Sequence, residues 1–272
     1  MTNLAMPVVA RDRSVAAVTR NDEPRGLDAS QVLPNPVVPE FDAYAHDYAA
    51  GMDNPMKQLM GQSADDFIQI KLRWLLRAVP GLKSRDRSYR VLDYGCGTGT
   101  ILRLMGEAGL RATLAGCDVS QGMLDQAYQR WPSSLPRPEL QVQQSARVPF
   151  GDACFDLAII SAVLHHIAPA DRAGVYAAIH RSLRPGGSLV VFEHNPWNPV
   201  TRYVVAHTPI DSNAILLSSR ETRMGLQTAQ FTNIRTRYLM FFPPRLRHLS
   251  AWEWRLGYLP VGAQYATTAR RG

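Results

Sequence analysis

A glycine-rich turn between an apolar run and a helical pattern carries the clearest chemical signal in the sequence. The pattern predicts a buried parallel strand at residues 91–94, followed by Gly95-Cys96-Gly97-Thr98-Gly99-Thr100. Glycine lets the backbone approach a ligand closely, and the helix that follows directs its first N–H groups at that ligand. A second strand, residues 112–117, ends at Asp118, whose carboxylate can accept hydrogen bonds from two ribose hydroxyls. The stretch therefore predicts a site for a nucleoside-containing cofactor.

The spacing of the glycines distinguishes between two classes of cofactor. A dinucleotide fingerprint is G-x-G-x-x-G, whereas here the third glycine comes one residue earlier, as Gly95-x-Gly97-x-Gly99. Asp93 stands two positions before the first glycine, where its charge would repel a pyrophosphate but attract a cationic, zwitterionic ligand. The spacing favours such a ligand over a nicotinamide dinucleotide. A ligand-free structural turn is the remaining alternative.

Together with later motifs, this turn resembles the first motif of the class I S-adenosylmethionine-dependent methyltransferases. The motifs follow in family order as Asp118, Pro149-Phe150, Phe155-Asp156, Leu164-His165-His166 and Leu183-Arg184-Pro185-Gly186-Gly187. The resemblance covers residues 65–195 well and the remainder loosely. It implies a Rossmann-like α/β fold: a seven-stranded, mostly parallel sheet with helices on both faces and an N-terminal helical lid. It also implies S-adenosyl-L-methionine as the cofactor.

The resemblance further implies which positions hold the cofactor. These are Tyr48, Asp93, Gly95, Gly97, Gly99, Asp118, Val119, Met123, Gln144, Ser145 and Ser161. Gln144 departs from the family, which commonly has an aspartate there to accept the adenine amino hydrogens, although a glutamine carbonyl can accept the same bond. Met123 is an adenine contact or a core residue. Tyr48 belongs to an aromatic helical segment that either closes over the cofactor or packs as core.

Four residues near predicted strand ends are candidates for moving a proton: His165, His166, Glu193 and His194. A histidine with a pKa near neutrality can take a proton from a hydroxyl or amine, and we favour His165. Alternatively, the two adjacent histidines pack beside the cofactor, and residues 193–199 form a self-bonded turn. That loop also resembles one found in a bacterial subgroup of the family. These groups lack tight ligand spacing, so the sequence predicts no metal site.

Composition sets the remaining limits. The 272 residues carry a net charge of +7, mostly as scattered arginine without interleaved aromatics, so we expect no nucleic-acid partner. No apolar run is long enough to span a membrane, and the N-terminus lacks the apolar region of a secretory signal. The three cysteines have neither disulfide nor metal-site spacing, which fits a reducing cytoplasm.

Hydrophobic periodicity predicts three segments. Residues 1–38 are expected to be a disordered tail, 39–85 the helical lid with a helix over 64–79, and 86–272 the methyltransferase core. Within the core we predict strands at 140–142, 155–160 and 188–192, a helix from Asp171, and a turn at 184–187. The C-terminal cover is predicted as a helix over 219–229, a strand over 232–239, an inserted helix over 245–256 and a strand over 263–269. Aromatic residues of the insertion either line an apolar acceptor pocket or pack on the sheet: Phe241, Phe242, Trp252, Trp254 and Tyr258.

The sequence therefore predicts an enzyme that transfers the methyl group of S-adenosylmethionine to an oxygen, nitrogen or carbon of a small, partly apolar acceptor. The reaction would be an in-line displacement, with the protein aligning the reacting atoms. Three alternatives stay open: a methyltransferase-like protein that binds S-adenosylmethionine without turnover, an RNA or protein methyltransferase, and a nicotinamide-dependent dehydrogenase. Steeply salt-dependent RNA binding would identify an RNA enzyme, and a response to a nicotinamide cofactor would identify a dehydrogenase.

Overall fold

The computed structural model describes Phe41, Asp42, Ala45 and residues 64–84, 86–242, 246 and 249–272. Its strands are β1 (Tyr89–Tyr94), β2 (Ala112–Asp118), β3 (Glu139–Val142), β4 (Phe155–Ser161), β5 (Leu183–His194), β6 (Phe231–Leu239) and β7 (Gln264–Arg271). Its α-helices are α1 (Ala64–Ala78), α2 (Thr100–Glu107), α3 (Gln121–Gln129), α4 (Arg172–Ser182), α5 (Pro199–Ala206), α6 (Ser219–Thr228) and α7 (Ser250–Leu256). Short 3-10 helices cover Pro80–Lys83, Leu164–His166 and Pro209–Asp211.

The strands form one seven-stranded sheet in the order β3-β2-β1-β4-β5-β7-β6. Strands β1 to β5 pair in parallel, whereas β7 runs antiparallel to both β5 and β6. Helices α2, α3 and α4 connect β1 to β2, β2 to β3 and β4 to β5, whereas residues 143–154 connect β3 to β4 without a helix. The predicted Rossmann-like, mostly parallel sheet is confirmed.

Alternate residues of the central strands build a separate core on each face of the sheet, because successive side chains of a strand point in opposite directions. Val91, Leu157 and Val190 pack with apolar residues of α1 and α2 on one face. Leu92 and Ala158 pack with residues of α4 and α6 on the other. The near-continuous apolar runs in the sequence follow from this two-sided burial. No helix in the described ranges combines the length and apolarity that crossing a bilayer requires.

Two local predictions need correction. The segment 184–187 is a bulge inside β5 rather than a turn before it: Phe155 pairs with Leu183, and the next pair joins Leu157 to Ser188. The extra residues are accommodated because Gly186 adopts a φ of 75°. The second is the start of the loop predicted at 193–199, because Glu193 and His194 belong to β5. The rest of that loop is a turn in which the Trp197 N–H donates to Asn195 Oδ1 at 3.1 Å. Helix α5, which was not predicted, begins at Pro199 and is capped by the Asn198 side chain, which accepts the Thr201 N–H at 2.9 Å.

The ends of the chain are described only in part. Phe41, Asp42 and Ala45 are helical, and α1 follows. The predicted tail at 1–38 and Tyr48 lie outside the described residues, so the lid stays a prediction. The inserted helix is described as Ser250–Leu256, shorter than the predicted 245–256. Residues 243–245 and 247–248 are also outside the description.

Candidate functional site

A cavity of about 320 Å³ lies at the carboxyl ends of the parallel strands. Residues that follow β1, β2 and β4 line it, among them Gly95, Val119 and Ala162, together with His194 at the end of β5. In open α/β sheets this edge is where ligands bind, because the loops that leave neighbouring strands diverge there. Of the positions predicted to bind the cofactor or move a proton, the cavity brings together Asp93, Gly95, Gly97, Asp118, Val119, Met123, Ser161, His165, His166 and His194.

The glycine turn is fixed to the end of β2 by its own backbone. The N–H groups of Gly95 and Cys96 donate to the Cys117 carbonyl at 2.8 and 3.0 Å. The Gly97 N–H donates to Asp118 Oδ2 at 2.8 Å, which holds the carboxylate against the turn. A Cβ added to Gly95 would lie 2.5 Å from Val163 Cγ2. Gly95 therefore allows β1 and the loop after β4 to approach each other.

Two buried carboxylates face this cavity. Asp93 is 2% exposed, and among the described residues its Oδ1 has no hydrogen-bond partner. Burial raises the pKa of Asp93 to about 8, and the negative charge of Asp118 adds to the shift. Burial also raises the pKa of Asp118, although N–H groups of Ser120 and Gly97 favour its ionised form. A buried acceptor without a partner is unfavourable, so a cationic donor in the cavity would stabilise Asp93.

Lys71 is a polar residue of the site that the sequence interpretation missed. It is 3% exposed, lines the cavity from α1, and its Nζ donates to Ser161 Oγ at 2.9 Å. The signal was present, because Lys71 interrupts the apolar side of the helix between Ile68 and Leu75. A buried cation on an amphipathic helix indicates a partner that the helix alone does not supply.

The adenine region differs in detail from the prediction. Gln143, one residue before the predicted Gln144, is buried and lines the cavity, whereas Gln144 and Ser145 are exposed and do not. The Gln143 N–H donates to the Asp118 carbonyl at 2.9 Å, which continues the β2–β3 ladder and turns its side chain inward. Gly99 lies outside the lining and serves as the N-cap of α2.

His165 and Glu193 form a buried pair at the other end of the cavity. His165 Nδ1 lies 2.7 Å from Glu193 Oε2, and the two side chains are 1% and 0% exposed. Glu193 Oε1 accepts the N–H groups of Val163 and Leu164 at 3.0 and 2.7 Å. Glu193 does not line the cavity itself, so it acts through His165.

Asp211, on the 3-10 helix Pro209–Asp211, completes this cluster and was also missed. Its Oδ1 lies 3.4 Å from the Nε2 atoms of both His165 and His166. For His165 this is an ionic contact, since its Nε2 makes no hydrogen bond to any of the described residues. Neither periodicity nor a motif marks Asp211 in the sequence, because 46 residues separate it from His165 and only the fold brings them together.

The charges of this cluster set its protonation. Burial alone would lower the pKa of His165, but the negative charges of Glu193 and Asp211 raise it to about 9. Burial and the nearby His165 charge lower the pKa of His194 to about 3, so this ring is neutral. The pKa values of both carboxyls lie well below their usual range, since the favourable histidine charge outweighs their burial. A neutral His165 can therefore accept a proton at Nε2, and the resulting cation is stabilised on both sides.

The same atoms have the spacing of a metal site, which the sequence did not predict. One ligand atom from each of His165, His166 and Asp211 lies within 4.8 Å of the other two. Such a set of two imidazoles and one carboxylate could coordinate a divalent transition-metal ion. The arrangement thus supports two chemistries, proton transfer and cation binding, at one place in the cavity.

The remaining wall is largely apolar. Val200 and Val204 of α5, Ile210, Met240 and Ala263 contribute to it. Val200 is also 45% exposed, which places it at the mouth of the cavity. The aromatic residues of the C-terminal insertion do not line this cavity, in contrast to one of the two predicted alternatives. Trp254 instead packs against Trp74, with ring centroids 6.0 Å apart.

Comparison with known proteins was consistent with this geometry. A family model described as a methyltransferase domain matches residues 91–187. A demethylmenaquinone methyltransferase of Parafrankia sp. is 30% identical over 200 residues, which cover 64% of this chain and 68% of that protein. A demethylmenaquinone methyltransferase of Beutenbergia cavernae is 31% identical over 166 residues, covering 59% of this chain and 64% of that protein.

A solved structure shares the fold. It is a Thermotoga maritima S-adenosylmethionine-dependent methyltransferase, described as a possible histamine N-methyltransferase. The TM-score is 0.58 at 17% identity, covering 86% of this chain and 98% of that one. Among eight curated relatives, the matched part spans between 31% and 68% of the relative's own length, and for most of them less than two thirds.

Proposed function

Since this chain belongs to the class I S-adenosylmethionine-dependent methyltransferases, we propose that it methylates a small, apolar acceptor with an ionisable hydroxyl. The acceptor would be of the phenol or quinol type, with transfer to the oxygen or to a conjugated carbon. The observation that carries this proposal is the buried His165–Glu193 pair at 2.7 Å beside an apolar cavity wall. When bound, S-adenosylmethionine supplies the electrophilic methyl group.

The residues around the glycine turn, at the end of the cavity formed by β1 and β2, fit this cofactor. The Asp93 carboxylate, whose Oδ1 has no hydrogen-bond partner among the described residues, could receive the ammonium group of the cofactor, and Asp118 could receive the ribose hydroxyls. Lys71 offers a buried cation for its carboxylate. Val119 and Met123 provide an apolar surface for adenine, and Gln143 an amide in the lining.

The cluster of His165, Glu193 and Asp211 would prepare the nucleophile. Neutral His165 takes the acceptor's hydroxyl proton at Nε2, while Glu193 accepts the Nδ1 hydrogen and so fixes the productive tautomer. The new imidazolium then lies between Glu193 and Asp211, which stabilise its charge. Such proton transfer contributes about 10²- to 10⁴-fold to the rate.

The acceptor class follows from the lining and from the relatives. Val200, Val204, Ile210 and Met240 would contact an apolar ring or chain, and the histidines would contact its hydroxyl. The two relatives compared above are described as demethylmenaquinone methyltransferases, and a naphthoquinol combines these two features. We accordingly place a reduced quinone first among the candidate acceptors and expect no nucleic-acid substrate.

Calorimetry followed by a transfer assay tests this proposal. We expect S-adenosylhomocysteine to bind the wild type and Asp125→Ala, an exposed residue of α3, but not Asp118→Ala. We then expect labelled methyl from S-adenosylmethionine to reach a reduced naphthoquinone with the wild type. His165→Gln should bind S-adenosylhomocysteine normally yet transfer almost no label. Binding without transfer to any phenol or quinol would contradict the acceptor class, and no binding at all would contradict the proposed activity.

A further inference from the structure

A second cavity, of about 780 Å³, lies at the amino end of β5 and is lined by arginines. Six arginines from five parts of the chain line it: Arg77, Arg87, Arg184, Arg235, Arg237 and Arg270. Among the described residues that line this cavity, Asp156 alone carries a carboxylate. We propose that this site, the arginine cavity, binds an oligophosphate chain.

The arginine cavity is distinct from the methyl-transfer site. Strand β7 lines the first cavity with Gln264 and the arginine cavity with Arg270. Six residues of extended strand separate these positions by about 20 Å. Helix α1 likewise contributes Lys71 to the first cavity and Arg77 to the second. The two sites therefore occupy opposite ends of one sheet.

Strand geometry explains how the arginines converge. Arg235 and Arg237 are two residues apart on β6, so their side chains share one face of the sheet. Arg235 pairs with Thr268 on β7, and Arg270 follows two residues later on the same face. The bulge at 184–187 and the segment before β1 bring Arg184 and Arg87 to the same space.

The positive charges of this cavity exceed what the protein neutralises. Asp156 is occupied by Arg87 at 2.6 Å and Arg184 at 3.1 Å, and it also accepts the N–H of Arg90 at 2.8 Å. Among the described residues, Arg77, Arg235 and Arg270 have no carboxylate partner. Like charges gathered in one concave site repel one another and create a positive potential, and a bound polyanion would relieve that repulsion.

The chemistry of the lining indicates which polyanion. The planar guanidinium fork donates two parallel hydrogen bonds to a phosphoryl group, and several forks at different angles suit several linked phosphates. The aromatic rings already have partners: Trp74 packs against Trp254, and Arg237 stacks on Trp254. We therefore expect the phosphate chain, rather than an attached base, to be recognised.

Calorimetric titration with sodium tripolyphosphate, at constant ionic strength set with sodium chloride, tests this site. We expect one molecule to bind per chain, and the Arg235→Gln/Arg270→Gln variant to weaken binding about tenfold or more, because it removes two charge-assisted donors. The matched control is Arg130→Gln/Arg223→Gln, which changes two exposed arginines outside the lining and should bind as the wild type does.

Two further titrations identify the ligand and provide a test that remains valid if the double variant does not fold. ATP should bind within about threefold of tripolyphosphate if the phosphate chain is recognised. Arg77→Gln, a single exposed change on α1, should weaken binding even if the double variant fails to fold. The proposal is overturned by absence of binding, by equal weakening in the control variant, or by a single-stranded RNA that binds more tightly than tripolyphosphate. None of these readouts depends on methyl transfer.

Discussion

The Nδ1 atom of His165 lies 2.7 Å from Glu193 Oε2, deep below the surface of the cavity. The second Glu193 oxygen accepts the N–H groups of Val163 and Leu164, so the carboxylate cannot rotate away from the ring. The opposite ring nitrogen, Nε2, is left beside Asp211, which also lines the cavity. The pair therefore fixes both the orientation and the tautomer of His165.

The variant Glu193→Gln tests directly whether Glu193 sets the tautomer of His165. The glutamine carbonyl can keep the bonds from Val163 and Leu164, but its amide would donate to His165 Nδ1. The ring proton would then sit on Nε2, where no lone pair remains to accept the acceptor's proton. We expect kcat to fall about 10²-fold or more, as for other misplaced tautomers, with S-adenosylhomocysteine affinity unchanged.

His165→Gln is the companion variant and should lose at least as much activity. Near-wild-type turnover of Glu193→Gln, measured with the fold verified by circular dichroism, would contradict the assignment of His165 as the base.

The pH dependence of the rate tests the role of Asp211. Because the pKa of His165 is raised to about 9, the neutral base is scarce at pH 7. The rate should therefore rise about tenfold per pH unit below this pKa and level off above it. Asp211→Asn removes one of the two negative charges, so the pKa of His165 falls, the rising limb moves to lower pH and the rate at pH 7 increases. If the rising part of the pH–rate profile does not move in Asp211→Asn, Asp211 does not raise the pKa of the catalytic base.

The same shift has a consequence for stability. A histidine whose pKa is raised on folding contributes stability below its unfolded pKa of 6.5, and the contribution is lost as pH rises through about 9. The midpoint of urea unfolding should therefore differ less between wild type and His165→Gln at pH 9.5 than at pH 6.5. An equal difference at both pH values would mean that the charge of His165 does not stabilise the fold.

The fold was largely predictable because its signals are local. The apolar runs of β1, β2 and β4 and the glycine turn each lie within a few residues, so periodicity alone predicts these strands. The bulge at 184–187 was not predictable, since a Pro-Gly-Gly sequence favours a turn and only pairing with β4 reveals the bulge. Helix α5 was not predicted because Pro196 and Pro199 favour a loop, although Pro199 occupies the first turn of the helix.

The candidate site was predictable only where its residues are close in sequence. Asp93, the glycines and Asp118 form one continuous pattern, and they line one cavity. Asp211 carries no such signal, because two α-helices and one strand separate it from His165 and His166 along the chain. The sequence predicted Gln144 instead of Gln143. The strand before it, β3, has only four residues, which are too few for the alternation of apolar and polar residues to show which side chains are buried.

The ionisation of Asp93 should control cofactor affinity. Its pKa is raised to about 8, so the carboxyl is mostly protonated at pH 6 and cannot pair with a ligand ammonium. The affinity for S-adenosylhomocysteine should rise steadily from pH 6.0 to 7.5, as more of the protein carries the charge. Asp93→Asn should bind weakly with no such rise. Asp125→Asn, exposed on α3, should retain the wild-type dependence, and a flat wild-type profile would contradict the pairing.

The two chemistries of the His165–His166–Asp211 cluster can be separated with metal ions. If the cluster handles protons, EDTA leaves turnover unchanged, while micromolar Zn²⁺ inhibits because it occupies the His165 lone pair. His166→Asn should relieve the zinc inhibition more than it reduces turnover, since it removes a metal ligand but not the base. Turnover abolished by EDTA and restored by a divalent ion would instead make the cluster a metal centre.

Alanine substitutions at Gly95 and Gly97 distinguish a glycine that is needed for packing within the protein from a glycine that is needed for contact with the ligand. In Gly95→Ala the new methyl would meet Val163 Cγ2 at 2.5 Å, and the φ of 70° adds strain of about 1 kcal/mol. In Gly97→Ala the new methyl meets no atom of the described residues within 4 Å, although its φ of 50° is similarly strained. Gly95→Ala should thus lower the unfolding midpoint more than Gly97→Ala does.

Val163→Ala distinguishes these contributions. Combined with Gly95→Ala it should recover the part of the stability that the clash removes, and leave the part due to backbone strain. Combined with Gly97→Ala it should recover nothing, because no described atom, Val163 included, lies within 4 Å of the methyl of that variant. Gly97→Ala should therefore lose affinity for S-adenosylhomocysteine beyond its effect on stability. Equal destabilisation by both alanines, with equal affinities, would mean that no ligand approaches the turn at Gly97.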